Sequence, residues 1–413
     1  MKGQLSHRNL NTPAGRRRSI VVLRSIATLV SIVVLTTPLR ADKNQANIAD
    51  PFEPTPPQVV DDMLRLAGVT ASDYVFDLGC GDGRIVIAAA KNFGARAFGV
   101  DLDPQRIEEC KEGAEAAAVT DKATFKLGSY FDVDLGPATV LATYLLAETN
   151  LQLRPKYFRE LRPGARLVSH CFDMADWKAD KIESSPKARE QRILYWVIPA
   201  PVGGQWRWTD KTESGETPFR LDLEQKFQVV SGELTAGKAA RRAIRSATIN
   251  GKQFQFRAAA ADGQKAASVT YKGVVDGDTI RGTQKWESGA NGSEREWVAR
   301  RERLDIAGTW RVTVKASPDS LDGLVRIARK DGALQAVYVR DNPTTETLLA
   351  SWIAWGNSIY FELPPARGDD DGGAGDDGRG PIFTGVLDAQ DGRGRVTRQG
   401  WPSSSVWTAK KEK

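Results

Sequence analysis

The segment Asp77-Leu-Gly-Cys-Gly-Asp-Gly83 limits what this 413-residue chain can fold into more than any other stretch. The apolar Tyr74-Val-Phe precedes it and Arg84-Ile-Val-Ile-Ala-Ala-Ala-Lys91 follows, so the pattern predicts strand, glycine turn and helix. Glycines let a backbone approach a ligand closely, and the start of the following helix offers free N–H groups. The next apolar run, residues 95–100, ends in Asp101, a carboxylate placed to accept two ribose hydroxyls. A dinucleotide turn, G-x-G-x-x-G, would need glycine at position 84, where Arg84 stands. The spacing D-x-G-x-G-x-G therefore predicts a different nucleotide-type ligand; a tight turn in an ordinary α/β domain is the alternative.

Around this turn, residues 51–200 alternate apolar runs with segments of helical period. That alternation predicts a doubly wound, seven-stranded sheet flanked by helices. The strand at 75–78 should lie centrally, beside the strand at 97–100, with the glycine turn at the carboxyl edge. Helices are expected over 59–66 and 104–118, the second with Pro104 in its first turn. Further strands are expected at Ala123–Leu127, 139–144, 165–171 and 192–198.

After Pro201 the texture changes. Helical periodicity fades, glycine-containing turns recur, and nine of the eleven tryptophans lie beyond residue 204. Two stretches open and close alike: Gly204-Gln-Trp206-Arg to Glu296-Trp297-Val-Ala-Arg300, and Gly308-Thr-Trp310-Arg to Val406-Trp407-Thr-Ala-Lys410. Each predicts a small antiparallel barrel or sandwich, with adjacent first and last strands bringing Trp206 near Trp297 and Trp310 near Trp407. One larger sandwich with unrelated core tryptophans is the alternative. Asp276-Gly277 between apolar runs predicts a hairpin. The expected chain is thus multi-domain, α/β plus all-β: 1–41 a leader, 42–50 a linker, 51–200 the sheet domain, 201–302 and 303–413 the two β units.

The leader has a basic start (Arg16-Arg17-Arg18, Arg24) and an apolar core, Ile26 to Leu35, with Ala41 at a plausible cleavage site. That core is short for a membrane span, so a signal peptide and an exported protein are expected, with an uncleaved anchor as the alternative. Residues 1–41 hold seven Lys/Arg and no Asp/Glu, which turns the formal +6 of the chain into −1 once they are removed. The basic balance therefore gives no reason to expect nucleic acid as a partner.

Three cysteines, Cys80, Cys110 and Cys171, make no disulfide framework, and His170 is the only histidine after the leader. No metal is expected from them. Cys80 reads as a small residue filling a crowded turn, with a reactive thiol as the alternative. Gly372-Gly-Ala-Gly-Asp-Asp377 matches part of a calcium-binding nonapeptide inside the acidic run 368–378; a solvated loop is the default.

The glycine pattern resembles motif I of the class I S-adenosylmethionine-dependent methyltransferases, with Asp101-Leu-Asp-Pro104 as their acidic segment. Pro51-Phe-Glu-Pro-Thr-Pro56, Arg84-Ile-Val-Ile87, Tyr144-Leu-Leu146, Leu153-Arg-Pro-Lys156 and Leu161-Arg-Pro-Gly resemble a narrower branch. This branch comprises the lysine methyltransferases of the ATP synthase c subunit and the adenine nucleotide translocase, with their bacterial relatives. The resemblance implies S-adenosyl-L-methionine as cofactor, held by Asp77, Gly79, Cys80, Gly81, Gly83, Asp101, Leu102 and Ser129. Ser129 stands where such enzymes commonly carry aspartate toward the adenine amino group, and as a neutral partner it is weaker. Tyr144, Glu148 and Asn150, at and beyond the fourth strand, are the candidate catalytic residues, with His170 a further candidate. Asp132 and Asp134, close after the third strand, are expected either at the rim or in a solvated loop. The β units resemble calycin-like domains, which open with G-x-W and close near an arginine.

Two functions follow as expectations. The first is a methyltransferase with a protein lysine as acceptor. The second is an exported binding protein with a degenerate methyltransferase domain, whose β units recognise a protein or surface partner.

Overall fold

The computed structural model describes residues 52–185, 191–212, 215–259, 268–287, 294–315, 320–330, 333–341, 344–349, 352–363, 380–397 and 405–412. The leader, the linker and the calcium-like acidic run lie outside the described residues. The first sheet has seven strands in the order β3-β2-β1-β4-β5-β7-β6. They are β1 (Tyr74–Leu78), β2 (Arg96–Asp101), β3 (Ala123–Leu127), β4 (Val140–Thr143), β5 (Arg166–His170), β6 (Lys181–Ser185) and β7 (Gln191–Val197). The five from β3 to β5 run parallel, while β7 pairs antiparallel with β5, and β6 with β7. The sheet is therefore mixed, with β1 between β2 and β4 as the apolar runs imply. Val75 and Leu78 are fully buried because helices cover both faces.

Four helices flank the sheet: α1 (Pro57–Leu66), α2 (Arg84–Phe93), α3 (Pro104–Ala116) and α4 (Ala147–Glu160). α1 starts with proline in its first turn and buries Val59, Val60, Met63 and Leu64 along one face. α2 starts directly from Gly83 and stops at Gly94, both in the left-handed conformation, φ 77° and 70°. At the start of α3 the Asp103 side chain accepts from Gln105 N at 2.8 Å.

The described residues beyond 200 form two nine-stranded antiparallel sheets, curled like barrels. In the first, β8 (Gly204–Thr212) pairs with the last strand, β16 (Glu294–Glu302). In the second, β17 (Gly308–Lys315) pairs with its last, β25 (Val406–Lys411). Counted from its own first strand, each sheet has the same order, 4-3-2-1-9-8-7-6-5.

The tryptophans make matching contacts. Trp206 Nε1 donates to Val202 O and Trp310 Nε1 to Ile306 O, each four residues back. Each opening tryptophan faces a cation across the strand pair, Arg301 and Lys411. Each closing tryptophan bonds a carbonyl of the seventh strand, Lys272 O for Trp297 and Thr384 O for Trp407. A paired glycine couple, Gly273 with Gly282 and Gly385 with Gly394, lies beside the closing tryptophan in each unit. In the second unit a Cβ on Gly394 would sit 2.5 Å from the Trp407 ring nitrogen, so the ring occupies the space a side chain would need. Opening and closing tryptophans thus lie on adjacent strands in one core. The tryptophan against Trp297 is nevertheless Trp208, at 5.1 Å, because the register sets Trp206 opposite Arg301. The hairpin turns at Gly277 and Asp278, one residue later than the dipeptide suggests, with Asp276 opposite Thr279.

The sheets share a core. Phe227, Ile353, Trp355 and Tyr360 from the β units join Trp177, Trp196, Leu153 and Tyr157 of the first domain in one buried cluster. At its centre Arg154 of α4, 1% exposed, donates to Met174 O, Asp176 Oδ1 and Tyr360 OH. Lys226 pairs with the same carboxylate at 3.0 Å. Burial works to raise the pKa of Asp176, but the Arg154 and Lys226 charges and hydrogen bonds outweigh it and hold the carboxyl low. α4 is therefore gripped by both β units.

Candidate cofactor site

The glycine turn is pinned against β2. Gly79 N and Cys80 N both donate to Val100 O, at 2.9 and 3.0 Å. Gly79, Gly81 and Gly83 have φ of 74°, 53° and 77°, a backbone that favours glycine. Asp101 stands at the end of β2 beside the turn, where Oδ2 accepts from Gly81 N at 2.8 Å and Oδ1 from Asp103 N at 3.0 Å. A carboxylate offers about four lone-pair sites, so each oxygen keeps one for a further donor. Gly79, Gly81 and Asp101 line a cavity of about 330 Å³, with Asp77, Cys80, Leu102, Tyr130, Tyr144 and Leu145 in its wall.

Asp77 is buried in that wall, and its pKa is pushed up to about 8, first by burial, then by the Asp101 and Asp82 charges. A cation entering the cavity would relieve that carboxyl. The Cys80 sulfur lies 3.9 Å from that of Cys110, which in turn donates to Gly81 O at 3.1 Å. The Cys110 hydrogen bond and then burial push the Cys80 thiol up, so it is a protonated packing group. Arg84, in the position that breaks the dinucleotide pattern, pairs with Asp82 and donates from Nη1 to Thr55 O at 2.8 Å.

Of the residues expected at a cofactor, Asp77, Gly79, Cys80, Gly81, Asp101 and Leu102 line the cavity. Gly83 instead launches α2, and Ser129 accepts from Phe131 N at 3.2 Å to cap a short turn; its neighbour Tyr130 reaches the wall. Of the catalytic candidates, only Tyr144 lines it. Glu148 is exposed in the first turn of α4, and Asn150 is buried, donating from Nδ2 to Leu145 O at 3.1 Å. Asp132 and Asp134 are exposed and lie outside the lining. His170 is buried behind Tyr144, with ring centroids 4.0 Å apart, and its Nδ1 lies 3.2 Å from Thr55 Oγ1. Burial lowers its pKa, which keeps the ring neutral.

Phe52, Glu53 and Thr55 also line the cavity, as does Arg106, whose guanidinium lies 3.9 Å from the Phe52 ring centre. Pro51-Phe-Glu-Pro-Thr-Pro56 carried the family resemblance without announcing itself as part of the site. Its two prolines around an acidic residue were the available signal. Among the described residues, no cluster of three or more His, Cys, Asp or Glu side chains is arranged to hold a metal ion.

The cavity suits a nucleoside-based sulfonium. Its size falls in the ligand-pocket range of roughly 300–1,000 Å³. Its floor is a glycine cradle with left-handed backbone, its rim a carboxylate with free acceptors, and its wall a buried carboxyl without a cation. Residues 77–181 match the profile of the ANTKMT methyltransferase domain. The chain is 44% identical over 149 residues to a protein-lysine N-methyltransferase of Saccharolobus islandicus, covering 36% of this chain and 92% of that protein. It is 28% identical over 155 residues to the ATP synthase c-subunit lysine N-methyltransferase of Homo sapiens, covering 38% and 65% respectively. An RNA methyltransferase from Salinibacter ruber, solved in complex with S-adenosyl-L-homocysteine, is 43% identical, covering 36% and 94%, with a TM-score of 0.35. The chain belongs to the ANTKMT methyltransferase family and is an S-adenosylmethionine-dependent methyltransferase.

Proposed function

We propose that the protein methylates the ε-amino group of a lysine in a protein acceptor. The observation that carries this reading is the 44% identity to a protein-lysine N-methyltransferase across 92% of that enzyme. When bound, S-adenosylmethionine supplies an electrophilic methyl group, so the chain's own task is to bind, orient and exclude water. Asp101 would accept the ribose hydroxyls, the glycine turn would lie along the amino-acid portion, and exposed Leu102 would offer an apolar face to the base. Asp77 would balance positive charge inside the wall.

Tyr144 faces the cavity with its pKa raised, by burial first and then by the Glu53 and Cys171 charges. It therefore stays a protonated phenol that orients the acceptor amine and does not serve as its base. His170, neutral and bonded to Thr55, holds the segment before α1 in place.

The test is transfer of labelled methyl from S-adenosylmethionine to an unstructured peptide with one lysine. Its twins carry norleucine or ε-acetyl-lysine at that position. Label on the lysine peptide alone supports the reading; transfer to RNA with none to lysine would sink it.

Asp77 makes cofactor affinity pH-dependent. In the free protein the carboxyl titrates near pH 8, and a bound cation lowers that value, so binding releases a proton below pH 8. Affinity for S-adenosylmethionine should therefore fall by up to about tenfold per unit as pH drops from 8 to 6. Asp77→Asn should flatten the slope. Calorimetry in buffers of different ionisation enthalpy checks both, and equal slopes would refute the assignment.

We also propose that the protein is exported, on the basic and then apolar composition of residues 16–35. An N-terminus at residue 42 in the exported fraction supports this; an intact chain confined to the cytoplasm refutes it.

A further inference from the structure

The segment from Phe52 to Pro56 runs along the cavity and is fastened from both sides. Arg84 Nη1 holds the Thr55 carbonyl at 2.8 Å, and Thr55 Oγ1 meets His170 Nδ1 at 3.2 Å. Phe52 lies against the Arg106 guanidinium and so close over the glycine turn that a Cβ on Gly81 would collide with its ring. These fastenings set Glu53 in the cavity wall, in the same lining as Tyr144. Thr55, two residues on, meets His170 at the end of β5, and Tyr144 of the same lining follows β4, so Glu53 lies on the side of the cavity where β4 and β5 end.

Among the described residues Glu53 has no cation of its own. The two arginines of the lining are engaged elsewhere, Arg84 with Asp82 and Arg106 with Glu109, and among the described residues no ion pair reaches Glu53. Beside it the Tyr144 ring packs on His170 and on Phe172, at 4.0 and 6.0 Å between centroids. A carboxylate next to an aromatic wall attracts an alkylammonium both by charge and by the ring's negative face.

We propose that Glu53 and the Tyr144 ring form the subsite that receives the ammonium group of the acceptor and so select a primary alkylamine. This rests on the amine-acceptor reading above. Glu53 is assigned recognition of the cation; the Tyr144 phenol orients it toward the cofactor.

The experiment titrates n-butylammonium into the full chain saturated with S-adenosylhomocysteine, followed by NMR, with n-butanol as the neutral control. The wild-type complex should bind the ammonium and ignore the alcohol. In the S-adenosylhomocysteine-saturated complex Glu53→Gln should weaken ammonium binding at least tenfold, and Glu53→Asp should recover part of the loss. Failure of the wild-type complex to bind n-butylammonium, or equal binding by Glu53→Gln, overturns the subsite. The lysine-peptide assay reports separately on the acceptor. Lysine transfer with ammonium binding indifferent to Glu53 removes the subsite alone, whereas Glu53-dependent ammonium binding without lysine transfer sustains it and removes the lysine reading.

Discussion

Gly81→Val should abolish binding of S-adenosylmethionine. Gly81 sits at φ 53°, a conformation that a β-branched residue adopts only under strain, and a Cβ there would collide with Phe52. The isopropyl group would also stand in the cavity that the turn lines. Asp101→Ala acts by a different route. It removes the acceptor for Gly81 N and, on the proposed assignment, leaves two ribose hydroxyls unpaired. The expected loss is about 2–4 kcal/mol, or roughly 30- to 1,000-fold in Kd. Calorimetric titration of both variants, with folding checked by circular dichroism, tests the pair. Undiminished affinity in either would show that the cofactor binds elsewhere.

The second large effect concerns Arg154. Its guanidinium is buried between α4 and the two β units, and Arg154→Ala leaves Asp176 to Lys226 alone and removes the Arg154 hydrogen bond to Tyr360 OH. Breaking a buried ion pair from one side costs about 3–5 kcal/mol. A loss near 3 kcal/mol is expected here, because Asp176 is only partly buried and keeps Lys226. Tyr360→Phe removes the hydrogen bond from Arg154 and should cost about 1 kcal/mol. Guanidinium unfolding midpoints with their slopes would measure both. An Arg154→Ala protein as stable as wild type would mean that the β units do not brace α4.

The parts of the site that were legible in sequence are those fixed by local geometry. Asp77 to Gly83 and Asp101 could be located because a strand, a turn that favours positive φ and a helix start leave a pattern within thirty residues. Glu53 left no such pattern. It reaches the cavity through contacts of Thr55 with Arg84 and with His170, 29 and 115 residues away, which no spacing rule connects. Glu148 and Asn150 follow Tyr144 closely in sequence, but α4 begins at Ala147, ahead of both, and directs one to solvent and the other to Leu145 O. The strand β6 escaped notice because Lys181–Ser185 is an exposed edge strand with only Ser185 buried. The β units were legible because each tryptophan pair marks equivalent positions of a repeated topology. Their grip on the first domain was not, since no spacing rule connects Arg154 with Tyr360, 206 residues away, or with Asp176, 22 away.

The most direct measurement is calorimetry of the wild-type chain with S-adenosylmethionine and with S-adenosylhomocysteine. One site per chain for each, mutually exclusive and lost in Gly81→Val, is the expected result. A folded wild-type chain that binds neither, or that binds both equally well with valine at position 81, would contradict the assignment of the glycine turn as the cofactor site.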